Sequence, residues 1–113
     1  MPYLTVYTNA ELQNGKELAE KASALTANIL RKPESYVVTN IIYNPNMAFG
    51  GNHQNRGALV ELKSIGLADK DKYVAQMTDL LATELKISNR QYVAIALIDA
   101  PAAYTACGGR TFG

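Results

Sequence analysis

Tyr36-Val37-Val38-Thr39-Asn40-Ile41-Ile42-Tyr43 is the stretch on which the fold turns. All of its residues except Asn40 are β-branched or aromatic, which predicts a strand. Both of its faces are largely apolar, the pattern of a sheet covered on both sides. Just upstream, Pro33 disfavours helical geometry at Lys32, so any helix must stop near Arg31-Lys32. Leu18, Ala22, Leu25 and Ile29 fall at helical spacing and supply the buried stripe of that helix. Lys16, Glu20, Ser23 and Ala27, flanked by Glu17 and Asn28, form its solvated side. Two starts compete, since Thr8-Asn9-Ala10-Glu11 matches a capping box and Asn14-Gly15-Lys16-Glu17 is a rival. Upstream again, Met1-Pro2-Tyr3-Leu4-Thr5-Val6-Tyr7 reads as a strand, which completes a β-α-β unit.

Downstream the pattern repeats. Asn44-Pro45-Asn46 is a turn signal. Met47-Ala48-Phe49-Gly50-Gly51 and Asn52 to Gly57 form a polar, glycine-bearing loop. Ala58 to Ile65 (ALVELKSI) alternates as a strand, Gly66 ends it, and Asp69 is an N-cap candidate for a second helix. Tyr73, Met77, Leu80, Leu81 and Leu85 give that helix its buried stripe. Ser88-Asn89-Arg90 turns the chain into the apolar strand Tyr92 to Ile98, which Asp99-Ala100-Pro101 breaks, leaving a tail of small residues. Two β-α-β units with right-handed crossovers make an α+β fold, a four-stranded sheet with both helices on one face. The other face, read as apolar too, lacks a cover within so short a chain, which predicts a homo-oligomer.

At 113 residues the chain is one domain, residues 1–113. Its net charge of +1 spreads eleven Lys and Arg without a basic block, so no field recruits nucleic acid or a membrane surface. One cysteine, Cys107, and one histidine, His53, cannot make an intrachain disulfide or a structural zinc site. No signal-peptide core or transmembrane-length apolar run is present, so the default compartment is the cytoplasm.

Pro2 is the first candidate for chemistry. A proline that starts a strand is anchored by the sheet, and its missing donor is harmless there. If Met1 is removed, which a small second residue normally permits, Pro2 becomes a secondary amine at a fixed point and a usable base. With Met1 attached, the same nitrogen is an amide without a basic lone pair. Burial in an apolar pocket lowers an amine pKa, and two units correspond to about 2.7 kcal/mol. Lys32, at a helix end, is favoured there by the helix dipole, and it is also a candidate carboxylate anchor or enolate stabiliser. Tyr3, Tyr36, Ile65 and Phe112 suit an apolar cavity for a small aromatic acid, although each alone reads as core or interface packing. His53 reads as solvent-exposed and Cys107 as a small apolar residue. Gly50-Gly51 and Gly108-Gly109 lack phosphate-loop context.

Pro2 at a strand start, Lys32-Pro33 with Tyr36 beyond it, Met47 to Gly51 (MAFGG), Ser64-Ile65-Gly66 and Thr111-Phe112 together resemble the macrophage migration inhibitory factor family of the tautomerase superfamily. The match runs along nearly the whole chain with its motifs in order. The resemblance implies a homotrimer whose three sheets wrap into a central barrel. It also implies a phenylpyruvate-type keto–enol tautomerase with no metal and no organic cofactor. In it Pro2 shuttles the proton, Lys32 and Ile65 line the pocket, and Tyr36 and Phe112 lie near its rim. Three positions depart from the animal cytokines. Ala94 and Ala96 replace a tyrosine and an asparagine contributed across the subunit boundary, which leaves a larger and less discriminating pocket. Gly57-Ala58-Leu59-Val60 replaces a CxxC, so thiol–disulfide activity is not expected, and Cys107 stands where a tryptophan lies near the rim. The alternatives are a signalling protein that binds a receptor through the trimer surface, released by non-classical secretion, and a trimeric scaffold without a natural substrate.

Overall fold

Asn14, rather than Thr8, starts the first helix. In the computed structural model, which describes residues 1–113, Asn14 Oδ1 accepts from the Glu17 backbone N–H at 3.0 Å. Asn14 Nδ2 donates to the Glu17 carboxylate at 3.1 Å, closing a reciprocal cap. Thr8 is instead the last residue of the first strand, with its Oγ1 donating to the Gly57 carbonyl at 2.7 Å. The elements are β1 (Tyr3–Thr8), α1 (Gly15–Leu30), β2 (Val38–Tyr43), β3 (Ala58–Ser64), α2 (Lys70–Glu84) and β4 (Val93–Asp99). The order across the sheet is β2-β1-β3-β4, with β1–β2 and β3–β4 parallel and β1–β3 antiparallel. The fold is thus the expected α+β arrangement.

The two halves share one frame. Tyr3 and Ala58, Gly15 and Lys70, and Val38 and Val93 begin matching elements, each pair 55 positions apart. The helix ends match as well. Arg31 (φ 55°) and Lys86 (φ 54°) are both left-handed, and the next residues, Lys32 and Ile87, donate to the Ala27 and Ala82 carbonyls at 3.1 and 2.9 Å. Each is the i to i−5 bond of a Schellman-type end.

Leu4, Val6, Val60 and Leu62 of the central strands meet Leu18, Ala22 and Ile29 of α1 and Tyr73, Met77 and Leu81 of α2 in one buried core. Thr26 is buried where Leu25 is only half-buried, and its Oγ1 lies 2.9 Å from the Tyr73 hydroxyl. Burial pushes the Tyr73 phenol up to about 12, against the opposing hydrogen bond from Thr26. The helices are therefore joined by a satisfied polar pair inside an apolar layer.

Several expected boundaries move. Tyr36 belongs to a 3-10 turn, Glu34–Tyr36, and Tyr92 to a second one, Arg90–Tyr92. In the first, Tyr36 N–H bonds the Pro33 carbonyl and Val37 N–H the Glu34 carbonyl, so ladder pairing begins only at Val38. The strand from Ala58 ends at Ser64, leaving Ile65 just outside it. Asp69 does not cap α2. Its own φ of 53° is left-handed and its side chain makes no capping bond, reaching the Arg31 guanidinium at 3.6 Å instead. The tail holds an unexpected hairpin, β5 (Ala106–Cys107) and β6 (Arg110–Thr111), turned by Gly108 and Gly109 with φ of 62° and 85°. Two consecutive positive φ values suit a tight hairpin turn, which explains the glycine pair. Cys107 is exposed there, as is His53 in its loop.

The sheet face away from the helices is more mixed than an apolar reading implies. Tyr3, Tyr7 and Leu59 share it with Thr5, Asn40, Glu61 and Lys63, which follow from the strand register. It also carries Ala94 and Ala96 of the edge strand β4.

Candidate functional site

Pro2 sits at the head of β1 and is less than 2 % exposed. Its carbonyl accepts from the Val38 N–H at 3.0 Å, so the first peptide beyond the strand is already tied to β2. The residue is thus held by the sheet, as its place in the sequence suggests. Met1 precedes it, and the Met1 α-amine is held below its ordinary value, first by burial and then by the Lys32 cation. Partial burial and a nearby positive charge thus both favour the neutral, basic form of the Met1 amine.

Lys32 reaches that position because of how α1 ends. The left-handed Arg31 turns the chain out of the helix, and the half-buried Lys32 side chain then runs toward the end of β3. Its Nζ donates to the Ile65 carbonyl at 3.0 Å. Lys32 and Ile65, distant in sequence, are therefore joined directly, and the ammonium is aimed across the sheet end. A purely dipole-serving lysine would need no such bond. Ile65 is half-buried, and the next residue, Gly66, donates its N–H to Asp99 Oδ1 at 3.0 Å, fixing the corner.

Tyr36 and Phe112 meet as an edge-to-face pair, ring centroids 6.1 Å apart and planes at 86°. They are 43 % and 42 % exposed, so each keeps a ring surface free for contact. Phe112 is held by its N–H on the Thr105 carbonyl at 2.9 Å. Tyr3 is placed differently. Strand alternation turns it to the face opposite Pro2, and its hydroxyl donates to the Ala106 carbonyl at 2.9 Å, tying β1 to the tail hairpin. The clefts within a single chain lie elsewhere. One of about 240 Å³ is lined by Leu12, Glu17, Lys21 and Leu85, and one of about 380 Å³ by Val74, Thr78 and Ile95.

The second half shows what the same frame looks like without this constellation. The counterpart of Pro2 is Gly57, and that of Lys32 is Ile87, which is buried. The Phe49 ring lies against Gly57 and fills the place next to it, supported by Tyr92 with ring centroids 6.1 Å apart. The counterpart of Phe49 in the tail is Tyr104, which is 89 % exposed. The ring that fills the place beside Gly57 thus has a counterpart that stands in solvent and fills no place beside Pro2.

Sequence reasoning missed Asn9. Its Nδ2 donates to the Met47, His53 and Asn55 carbonyls at 3.1, 3.4 and 2.8 Å, and its Oδ1 accepts from the Gly57 N–H at 3.0 Å. This one side chain gathers the glycine-bearing loop onto the end of β1. Asn9→Ala is expected to cost about 2 kcal/mol, as several half-buried backbone groups lose their partner, measured as a lower urea midpoint. Sequence reasoning also passed over Ser64, fully buried at the end of β3, whose Oγ has no hydrogen-bond partner.

A family model described as macrophage migration inhibitory factor (MIF) matches residues 1–113. A macrophage migration inhibitory factor homolog from Brugia malayi is 40% identical, with 100% of both chains covered. The homolog from Wuchereria bancrofti is 36% identical over 100% of both. Among solved structures, a macrophage migration inhibitory factor homologue from Prochlorococcus marinus superposes with a TM-score of 0.89 at 26% identity, covering 98% of this chain and 99% of that one. The macrophage migration inhibitory factor from Trichinella spiralis gives 0.87 at 29% identity, covering 96% and 98%.

Proposed function

This chain belongs to the macrophage migration inhibitory factor family, and we propose that it is a keto–enol tautomerase of small α-keto acids, phenylpyruvate-like, in which Pro2 is the acid and base once Met1 is removed. The observation that carries this reading is the buried Pro2 at a strand head, with the Lys32 ammonium brought to the same end through the Ile65 carbonyl. Keto–enol exchange moves a proton and a double bond without net oxidation, so it asks for a base that can return what it takes. The Pro2 nitrogen removes a proton from the carbon next to the keto group, the C–H electron pair becomes the C=C of the enol, and the carbonyl oxygen takes a proton from solvent water. The reverse step returns the proton from Pro2 to carbon. Lys32 supplies positive charge for the substrate carboxylate and for the oxygen that becomes negative on the way. The free ring surfaces of Tyr36 and Phe112 suit an aromatic group at the pocket rim.

The pocket is completed, in this reading, by a homotrimer. Two sheet edges, β2 and β4, are open for pairing, and the face bearing Tyr3, Tyr7 and Leu59 has no helix over it. The chain is further proposed to act without an organic cofactor or metal, in the cytoplasm. No helix is long and apolar enough to cross a membrane.

Ultraviolet-monitored conversion of the phenylpyruvate enol by the chain that begins at Pro2 tests the proposal, and a rate no faster than buffer alone rejects it. Lys32→Gln is expected to raise the KM for phenylpyruvate about tenfold, the loss of one charge-assisted contact, with a smaller change in kcat. An unchanged KM would remove Lys32 from substrate binding.

A further inference from the structure

We infer that Ser64 is a positioning residue for the terminal amine, its Oγ accepting a hydrogen bond from the protonated Pro2 nitrogen. The inference rests on the reading of Pro2 as a free amine base, and it begins from a count of protons. A secondary amine that has taken a proton carries two N–H bonds. One holds the proton that goes back to carbon, and the other points into a buried site, where an unpaired cationic donor is costly.

The neighbouring acceptors are mostly engaged. The Pro2 carbonyl takes the Val38 N–H, the Ser64 carbonyl takes the Ala100 N–H, and the Ile65 carbonyl takes Lys32 Nζ. The Ser64 hydroxyl is wholly buried and without a partner; the other such hydroxyl, Thr39 Oγ1 on β2, is paired with Leu4 and not with Pro2. Register places it correctly. Tyr3 pairs with Lys63 across the antiparallel β1–β3 ladder, so the next pair outward is Pro2 with Ser64. The Pro2 and Thr8 carbonyls both bond toward β2, so these alternate residues of β1 form the non-hydrogen-bonded pairs with β3, in which opposite side chains approach most closely. Alternation puts Ser64 on the helix-covered face with Leu62 and Val60, where Pro2 and Leu4 also lie.

The other charged groups around this end have assigned directions. Lys32, from the end of α1, opposes the cation. Asp99, paired with Ser64 across β3–β4, accepts from the Gly66 N–H. Lys63 lies on the opposite face with Tyr3. Ser64 is therefore the group that stabilises the protonated state and aims its other N–H at the substrate.

The test uses the chain that begins at Pro2, labelled with 15N-proline, and follows the Pro2 nitrogen by NMR through a pH titration. Ser64→Ala is expected to lower the titration midpoint by about one pH unit, the loss of a hydrogen bond to a charged group, and to lower kcat with KM little changed. Loss of a hydroxyl with a merely structural role leaves the midpoint where it was, and that result overturns the inference. A midpoint that moves in a protein without turnover upholds the Ser64 contact and rejects the tautomerase reading. Turnover with an unmoved midpoint does the reverse. In the chain that keeps Met1, Ser64→Ala removes an unpartnered buried hydroxyl, so its thermal midpoint there is expected to equal or exceed that of the parent, which shows that the variant folds.

Discussion

Enol-to-keto conversion of phenylpyruvate is expected to fall by about 10²- to 10⁴-fold when Met1 stays attached to Pro2, the range that a positioned acid–base group contributes. The reason is covalent. With Met1 in place the Pro2 nitrogen is an amide, its lone pair is delocalised into the carbonyl, and it cannot take a proton at neutral pH. The α-amine then belongs to Met1, one residue farther along the chain, where its lowered pKa serves no purpose in this chemistry. Pro2→Gly in the Met1-free chain is expected to fall between the two. It restores an amine but loses the ring that fixes it. The pH dependence follows from the same surroundings. Burial and the Lys32 cation disfavour the protonated amine, so the rate for the chain beginning at Pro2 is expected to hold through neutral pH. It falls as the pH drops through the lowered midpoint of that amine and the base becomes protonated. The measurement is the ultraviolet rate across pH for the two termini, and equal rates would take Pro2 out of the mechanism.

Gly57→Ala is expected to destabilise the fold by about 3 kcal/mol, at the upper end of what overpacking costs. A Cβ there would stand 2.6 Å from Phe49 Cδ1 and Cγ and 2.7 Å from the Tyr92 carbonyl oxygen. The ring can turn at some expense, but the carbonyl is backbone at the start of β4 and has nowhere to go. The loss is read from urea unfolding monitored by circular dichroism. Gly51 is the internal control. A Cβ there meets nothing within 4 Å, so Gly51→Ala pays only for its positive φ of 77°. Gly57 has no positive φ, so a cost there no larger than at Gly51 would mean that the Phe49 ring and the Tyr92 carbonyl give way without strain.

What could be read in advance was whatever depends on near neighbours. The stripe of Leu18, Ala22 and Ile29 and that of Tyr73, Met77 and Leu81 place two helices correctly, because periodicity is a local property. Asn14 and Glu17 form a cap from three residues apart, for the same reason. Asp69 failed because an acidic residue before a helix is only a statistical cap. Here the left-handed backbone and the Arg31 guanidinium claim it. The Gly108-Gly109 hairpin is legible, since a glycine pair between short runs is a turn signal. The resemblance implies one site for Lys32 and Ile65; their contact, a single bond between a helix end and a strand end, has no signal in the local sequence. Ser64 stands in the Ser64-Ile65-Gly66 motif, but nothing local gives it a role. Its position opposite Pro2 exists only once β1 and β3 are in register, and a missing partner is a property of three-dimensional surroundings.

The repeated frame has a consequence that is arithmetical before it is structural. A chain has one amino terminus. Had each β-α-β unit been a separate molecule, each could have begun with a free proline and carried its own base. Joining two units end to end converts the first residue of the second into an internal peptide, and no substitution at Gly57 can give it an amine. The second end is therefore excluded from proline chemistry by connectivity alone, whatever side chains surround it. Phe49 occupies a place that the joined chain had already made useless for that task. The difference between the two ends is thus what covalent linkage leads one to expect, and it leaves each chain with one position at which the proposed base can exist.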